Sequence, residues 1–313
     1  MRTEASTQES VDESSQAPLL DSVPVTALPA RVTVHTEKAR LGSALYHDRN
    51  LSRDRSVSCA SCHPLDRAGV DGEAHSFGSA QRPTAVNTPT VFNCGFNLRY
   101  NWNGAYLSLA AELDAPIQRA MGMTWALVVE RVRADAQYVQ KFGAVYPDGI
   151  TEANIRDAIV EFERGLITPG SRFDRYLAGE MGALTAEEAE GWRLFREFGC
   201  SSCHQGTNIG GNMFQRMGVM GDYFTDRGGE SRGDQGLAAA TGNAADRHVF
   251  RVPSLRNVER TAPYLHDGTA RTLEAAIDTM ARYQLGRSLT RDEVSKIAAF
   301  LRTLTGAYQG QPL

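Results

Sequence analysis

Two copies of one cysteine–histidine motif carry the clearest chemistry in the chain. Residues 59–63 read Cys-Ala-Ser-Cys-His, and residues 200–204 read Cys-Ser-Ser-Cys-His. A C-x-x-C-H run is typical of covalent c-type haem attachment. Two thiols at this spacing reach the two vinyl groups of one porphyrin, and the histidine that follows supplies the proximal nitrogen to the iron. The residues predicted to hold two haems are Cys59, Cys62, His63, Cys200, Cys203 and His204.

Two other chemistries use closely spaced cysteines, and both fit this motif less well. A structural zinc site needs about four ligands, whereas each run offers fewer, at a spacing unusual for a zinc finger. A thioredoxin-like redox pair does not require the histidine that follows. We therefore expect haem c at both motifs. Because bacteria attach haem c outside the cytoplasmic membrane, we also expect a periplasmic protein.

Bulk composition narrows the classes of partner. The chain has 313 residues and a formal net charge of −4, so its charge does not favour nucleic acid or an anionic membrane as a partner. No apolar run approaches the roughly 20 residues of a membrane-spanning helix. Because the first residues are rich in Ser, Glu and Gln, we expect a disordered tail over residues 1–32. No signal peptide is visible, so the export signal is expected to have been removed or to lie upstream.

A helix-like segment precedes each motif and would position it. Thr185 and Glu188 form a capping-box pattern before the second motif, and Thr36 is the candidate cap before the first. Each half also ends in an apolar stripe at helical spacing, over residues 155–166 and 294–304. Thr290 and Glu293 form another capping-box pattern before the second stripe. These patterns predict an all-α fold of two cytochrome c-like domains, each binding one covalent haem c.

The two halves align directly between these helices. The matched segments are 89–93 with 253–257 and 100–104 with 264–268. At the same offset Met280 falls on Pro116. Methionine is a common sixth ligand of haem iron, so Met280 is predicted to bind the second iron, although a helical methionine is otherwise core packing. Proline cannot bind iron, so the first haem has either another sixth ligand or an open face.

Taken together, these motifs resemble the bacterial dihaem cytochrome c peroxidases and their MauG relatives, over about residues 36–308. Besides the C-x-x-C-H runs, the most specific segments are 87–93, 162–169, 252–257, 261–268 and 279–286. The resemblance implies a peroxidatic N-terminal haem domain over residues 33–170 and an electron-transfer C-terminal haem domain over residues 171–313. In this scheme His63 ligates the peroxidatic haem, and His204 with Met280 ligates the electron-accepting haem.

The resemblance also implies roles for residues between the haems. Trp102 matches the tryptophan that lies between the two haems in that family and bridges electron transfer, with core packing as its alternative role. Arg251 matches an arginine near the electron-transfer haem. Asn87, Thr261 and Pro263 match the positions that bind one Ca²⁺ through a side chain and backbone carbonyls, and hard oxygen ligands suit that ion.

Two positions depart from the family pattern. The family carries an acid–base glutamate in the loop that reads Gln-Arg-Ala-Met-Gly-Met at residues 118–123 here, and it maps to Gly122 or Ala120. Many members also have a displaceable histidine on the peroxidatic haem. The aligned position is Ser79, and the nearest histidine is His75, which we take as the candidate ligand against the alternative of an exposed loop histidine.

The resemblance implies a cytochrome c peroxidase that reduces hydrogen peroxide to water. Its electrons would come from a small periplasmic cytochrome c or cupredoxin, and the family often forms homodimers. Two alternatives remain open. One is a MauG-like dihaem oxidase that modifies a partner protein, although that branch uses a tyrosine where this chain has Met280. The other is a non-enzymatic dihaem electron carrier or redox sensor.

Overall fold

Several of the helices begin at polar side chains that serve as caps. In the computed structural model, which describes residues 24–313, Thr151, Thr185, Thr272 and Thr290 each accept a hydrogen bond from the N–H of the third helical residue. At Thr185 and Thr290 the glutamate three residues later also accepts a bond from the backbone of the cap, which completes a capping box. These bonds satisfy donors that have no partner inside the helix.

The first helix begins differently from the sequence prediction. Thr36, the predicted cap, is its first helical residue, and His35 caps it by accepting a bond from the N–H of Lys38 at 3.4 Å. The N–H of His35 donates to Glu161 at 2.7 Å. That bond holds the chain at His35 against the last helix of the same half, so the turn into the helix falls one residue earlier.

The first half is built of short and medium helices around the first motif. The helices are α1 Thr36–His47, α2 Cys59–Cys62, α3 Leu109–Glu112, α4 Trp125–Ala134, α5 Ala136–Val145 and α6 Glu152–Arg164, with a π-turn over Pro116–Ala120. Helices α1 and α6 pack against each other. The predicted apolar stripe of α6 is confirmed, because Ile155, Ala158 and Ile159 are buried.

The second half repeats this plan and adds strands. Its helices are α7 Arg172–Leu177, α8 Ala186–Glu197, α9 Tyr223–Asp226, α10 Ala238–Thr241, α11 Leu273–Gln284 and α12 Arg291–Arg302. Its strands are β1 Phe214–Arg216, β2 Val249–Arg251, β3 Ala307–Tyr308 and β4 Gln311–Pro312, paired antiparallel as β1 with β2 and β3 with β4. The predicted helix-rich fold is therefore confirmed, and the two small strand pairs are additions to the all-α prediction.

In each half, the helix before the motif crosses the last helix of that half at a glycine. A Cβ on Gly42 of α1 would lie 1.9 Å from the carbonyl oxygen of Ala158 in α6. A Cβ on Gly191 of α8 would lie 1.9 Å from the carbonyl oxygen of Lys296 in α12. Any side chain at either position would separate the two backbones, so both halves depend on the same close helix crossing.

Two equivalent asparagines join the halves at one buried threonine. Asn93 and Asn257, which the sequence alignment of the halves matched, are both fully buried in the left-handed conformation. Their side-chain amides donate to the hydroxyl oxygen of Thr168 at 2.8 and 3.0 Å. Asn208 from the second half also donates to the carbonyl of Asn93 at 2.9 Å. Buried side-chain amides therefore join the two halves through hydrogen bonds across the junction.

The N-terminal segment reaches across to the second half. Val25 and Leu28 are buried, and Val25 forms a bridge with Gly206. The N–H of Leu28 donates to Asp174 at 3.0 Å. The disordered tail predicted over residues 1–32 therefore extends too far along the chain, because the apolar side chains of Val25 and Leu28 are buried against the second half. The rest of that prediction, for residues 1–23, lies outside the described residues.

Over residues 24–313, no helix is long and apolar enough to cross a membrane. This agrees with the sequence, in which no apolar run reaches the length of a membrane span.

A buried ion pair fastens the N-terminal segment to the second half. Arg256 has no exposed side-chain surface and pairs with Asp174 at 2.6 Å. Its other N–H groups donate to the carbonyls of Thr207 and Thr26, each at 2.9 Å. Every charged atom of the pair is therefore held where water cannot replace a lost partner.

Replacing Arg256 by methionine should lower the free energy of unfolding by about 3–5 kcal/mol, because Asp174 stays buried without its partner. Chemical denaturation of the haem-loaded protein measures this change. The matched control is Arg175→Met, which breaks an exposed pair with Glu180 at 2.8 Å and should cost less than about 1 kcal/mol. Equal losses in the two variants would contradict the argument.

Candidate functional site

The first cysteine motif forms one turn of helix that holds its histidine in a fixed orientation. Ser58 caps the turn, and its N–H donates to the hydroxyl of Ser61 at 2.9 Å. His63 follows directly, with Nδ1 at 3.0 Å from the carbonyl oxygen of Gly69. That bond makes Nδ1 the protonated nitrogen and leaves Nε2 as the free lone pair.

The second motif reproduces this arrangement with a tighter turn. Residues Cys200–Ser202 form a 3₁₀ turn, and His204 has Nδ1 at 3.3 Å from the carbonyl oxygen of Ile209. Burial lowers the pKa of His63 and brings the pKa of His204 down to about 4. Both rings are therefore neutral at pH 7, which is the form that binds a metal.

A large cavity lies in front of the second motif. It encloses about 1740 Å³ of space free of atoms, part of it open to solvent. Cys200, Cys203 and His204 line one part of it, and Met280 of α11 lines another. Much of the remaining wall is apolar and comes from α11 and α12, from residues such as Leu273, Ile277, Ile297 and Leu301. The cavity can therefore hold a large flat apolar group between a histidine and a methionine.

Trp102 extends from the first half into the wall of the same cavity. Its indole N–H donates to the carbonyl oxygen of Asn87 at 2.8 Å, and its own carbonyl accepts from the N–H of Arg251 at 2.9 Å. Its ring also meets His266 edge-on, with 6.2 Å between the ring centres. These contacts hold Trp102 in the junction between the halves.

Arg251 brings a buried cation to the cavity wall. Only 5 % of the residue is exposed, and Nε donates to the carbonyl oxygen of Asn101 at 3.1 Å. Within residues 24–313, Nη1 finds no hydrogen-bond partner. Burial brings the pKa of Arg251 down to about 10, so the guanidinium is still charged at pH 7. An anionic group in the cavity would satisfy it.

The three predicted calcium positions converge on this cavity. Asn87, Thr261 and Pro263 all line it. The amide of Asn87 donates to the carbonyl of Glu73 at 2.9 Å, which leaves its side-chain oxygen available. The hydroxyl of Thr261 donates to the carbonyl of Val258 at 3.2 Å, so its own carbonyl oxygen is the atom available to a cation.

His75 and Ser79 lie on one segment near the first motif. As candidate ligands of the first haem they differ, because His75 carries an imidazole and Ser79 only a hydroxyl group. In the part of the chain that the structure describes, Nδ1 of His75 is buried with no partner. Ser79 is buried in the turn Ser79–Gln81, and a Cβ on Gly122 would lie 4.0 Å from its Cβ. The segment of Ser79 therefore meets the loop that lacks the family glutamate.

A buried network of ion pairs includes His266, whose ring contacts Trp102. Nε2 of His266 is 2.6 Å from Asp234, and Arg227 pairs with both Asp234 and Asp267. Across residues 24–313 this is the one cluster of His, Cys, Asp or Glu with metal-ligand spacing. Arg227 already pairs with both carboxylates, so we read the cluster as a structural network.

Sequence reasoning missed two carboxyl groups near the first motif. Glu163 in the last turn of α6 is buried, and Glu112 at the end of α3 is half-buried. Burial is the main cause that raises the pKa of Glu112 to about 7 and that of Glu163 to about 8. The alignment of the halves could have pointed to Glu112, because it lies four residues before Pro116, the position that matches the predicted ligand Met280.

These features define a class: a helix-rich chain with two C-x-x-C-H motifs, each with its histidine ring oriented by a backbone carbonyl. Comparisons with known proteins identify the family. A family model described as "Di-haem cytochrome c peroxidase" matches residues 36–182. The cytochrome c551 peroxidase of Nitrosomonas europaea is 42% identical, over 90% of this chain and 84% of that protein. The chain belongs to the di-haem cytochrome c peroxidase family.

Relatives from the MauG branch are also similar. The methylamine utilization protein MauG of Methylorubrum extorquens is 34% identical, over 77% of this chain and 68% of that protein. A crystal structure of a MauG-like protein associated with microbial copper homeostasis matches with a TM-score of 0.78 and 31% identity. That match covers 95% of this chain and 96% of the other.

The residues around the second motif fit the haem group that the family implies there. The cavity before the second motif is large and mostly apolar, and it has a neutral histidine with a free Nε2 and a methionine thioether on its wall. The guanidinium of Arg251, with an unsatisfied N–H, suits a haem propionate. Soft and imidazole donors of this kind suit haem iron.

Proposed function

We propose that the protein is a dihaem cytochrome c peroxidase that reduces hydrogen peroxide to water. The observation that carries this proposal is the asymmetry of the sixth-ligand position. Met280 lines the cavity of His204, whereas the equivalent place in the first half is Pro116, which has no donor atom. A pure electron carrier needs no such open side, while an enzyme needs one for its substrate. The family membership supports the same reading.

The proposal assigns each haem a unit of the chain. Residues 33–170 would hold the peroxidatic haem through Cys59, Cys62 and His63. Residues 171–313 would hold the electron-accepting haem through Cys200, Cys203, His204 and Met280. Bound haem supplies the redox chemistry. The chain's own contribution is to orient each histidine, to fill or leave open the sixth position, and to bind a propionate at Arg251.

Trp102 is the residue that we propose for electronic contact between the two sites. It comes from the first half but lines the cavity of the second motif. Its carbonyl accepts from Arg251 and its indole donates to Asn87, so the ring cannot move independently of either site. An aromatic ring held in this way suits transfer between the haems, with electrons supplied by a small cytochrome c or cupredoxin.

Location and assembly follow from the same proposal. Covalent haem c attachment takes place outside the cytoplasmic membrane in bacteria, and we therefore infer a periplasmic enzyme. A homodimer is the assembly that we infer from the family. Sedimentation of the haem-loaded protein would measure its mass directly.

A MauG-like oxidase of a partner protein is the second candidate. The observation that favours it is the loop at residues 118–123, which has no carboxylate where the peroxidases carry their acid–base glutamate. The 34% identity to a MauG protein supports it too. The methionine at position 280 favours the peroxidase, because the resemblance implies a tyrosine there in the MauG branch.

The direct test is peroxide-dependent oxidation of a reduced small cytochrome c by haem-loaded protein that has been reduced by one electron. We expect turnover that depends on hydrogen peroxide concentration. Protein that carries both haems and accepts electrons from the donor, yet does not turn over, would contradict the peroxidase proposal. Oxidation of an added partner protein without turnover of the cytochrome would instead support the second candidate.

Replacing Met280 by leucine should remove one ligand from the second haem only. We expect loss of the long-wavelength absorption band of a methionine–iron bond and a lower reduction potential for that haem, because a thioether ligand raises the potential. Absorption spectra and a redox titration measure both. Met220→Leu is the matched control, since Met220 is 59% exposed. Unchanged spectra in the Met280 variant would contradict the assignment.

We propose one Ca²⁺ at Asn87, Thr261 and Pro263, and only Asn87 would use its side chain. Asn87→Ala should therefore weaken calcium binding to protein stripped with a chelator, as measured by calorimetry, because one of few hard oxygen ligands is lost. Asn50→Ala, at an exposed position, is the control. Equal affinity in the two variants would place the ion elsewhere.

A further inference from the structure

Helices α3 and α11 are equivalent elements of the two halves. Ser108 caps α3 by accepting a bond from the N–H of Ala111, and Thr272 caps α11 by accepting from the N–H of Ala275. Both bonds join the cap to the third helical residue. The register is therefore the one in which Pro116 matches Met280, and it places Glu112 at the position of Ala276.

Position 276 faces the site of the sixth ligand. Ala276 and Met280 both line the cavity of His204. They lie four residues apart on one helix, so their side chains are neighbours on the same face. By the equivalence of the halves, Glu112 lies on the corresponding side of the first site. It thus faces the side that Pro116 leaves without a ligand.

Helices α6 and α12 give an independent register for the second carboxyl group. Gly42 crosses α6 at Ala158, and Gly191 crosses α12 at Lys296. This register matches Glu163 with Leu301, which lines the cavity of the second site. Both missed carboxyl groups therefore occupy positions that carry apolar cavity-lining residues in the second half.

The two carboxyl groups are close to each other and lack partners. Helices α3 and α6 pack together, and the charge of Glu112 adds to burial in raising the pKa of Glu163. Among residues 24–313, no side chain or backbone N–H donates a hydrogen bond to either carboxyl group. A buried carboxylate without a donor is costly, so stability alone does not explain why this half has replaced apolar residues by acids.

Other titratable groups surround the pair. Burial raises the pKa of Glu112 most, Arg251 lowers it and Asp114 raises it. Arg156 of α6 reaches the same helix, but its guanidinium is occupied by Asp114, Glu152 and the carbonyl of Ala110. The groups that interact electrostatically with one or both carboxyl groups are Tyr46, Cys59, Cys94, Tyr100, Asp114 and Arg251.

We infer that Glu112 is the acid–base residue of the first site and replaces the glutamate that the loop at residues 118–123 lacks. This inference rests on the proposed peroxidase function. Glu112 takes a proton from one oxygen of hydrogen peroxide and returns it to the other oxygen as the O–O bond breaks. Two electrons from the protein donor and two protons from solvent complete the conversion of one peroxide to two waters. Glu163 lies beside Glu112 and takes no part in this proton transfer.

The pH dependence of peroxide turnover distinguishes Glu112 from its neighbours. The base must be ionised to accept a proton, so kcat/KM for peroxide should rise with pH through about 7 and level off above it. In Glu112→Gln we expect kcat/KM to fall by roughly 100-fold or more, the usual contribution of such a group, and the rise through pH 7 to disappear.

Glu163→Gln is the matched variant in the same pocket. Because the pKa of Glu163 is raised to about 8, its carboxyl group is protonated through most of the working range, and glutamine has nearly the same shape. We expect kcat/KM to remain within roughly threefold of the wild-type value, well short of the loss that follows removal of an acid–base group. Glu130→Gln, at an exposed position of α4, is the surface control.

Infrared difference spectra between about pH 6 and about pH 8 give a readout that does not depend on activity. A protonated carboxyl group that ionises in this interval, above the ordinary range for glutamate, should give a band in wild type that Glu112→Gln lacks. Haem content and thermal stability of each variant show whether it has folded and loaded normally.

The outcomes separate this inference from the proposed function. Wild type without peroxide turnover contradicts the peroxidase and the role of Glu112 together. Active wild type with an equally active Glu112→Gln, or with the pH 7 rise retained in that variant, overturns the inference alone. Loss of activity and of the pH rise in Glu163→Gln but not in Glu112→Gln would also overturn it.

Discussion

The close crossing of two helices around each motif is the constraint on which the rest of the structure depends. At Gly42 and at Gly191 the helix that precedes the motif touches the backbone of the last helix of the same unit. The cysteine motif follows the crossing helix in sequence. The histidine ring is then oriented by a backbone carbonyl a few residues later. Each motif is thus positioned by contacts within its own unit.

The contacts between the units are of a different kind. They are made by polar groups that find their partners across the junction, as Asn93 and Asn257 do at Thr168. Trp102 crosses from one unit into the cavity wall of the other and is held there by backbone bonds to Asn87 and Arg251. Hydrogen bonds between buried groups therefore connect the two units directly across the junction.

The local features could be predicted from the sequence, because each depends on residues close together in the chain. The capping boxes at Thr185 and Thr290 and the apolar stripe of α6 are of this kind. The first helix start was missed by one residue, because a distant carboxylate, Glu161, holds His35. The buried N-terminal segment was missed for the same reason, since Val25 owes its place to a core far along the chain.

The candidate acid–base group was missed because its neighbours come from several separate segments. The sequence places Glu112 four residues before Pro116 but does not show its neighbours, and only the packing of α3 against α6 brings it near Glu163 in a half-buried position. Because the two units share one fold, the residues that line the second site identify the equivalent positions of the first site, where the acids stand. Where the second unit has a methionine and two apolar residues, the first has a proline and two acids. In our proposal the first site therefore has an open side and an acid–base group where the second has a ligand and an apolar wall, so that the first reduces peroxide with electrons that the second accepts.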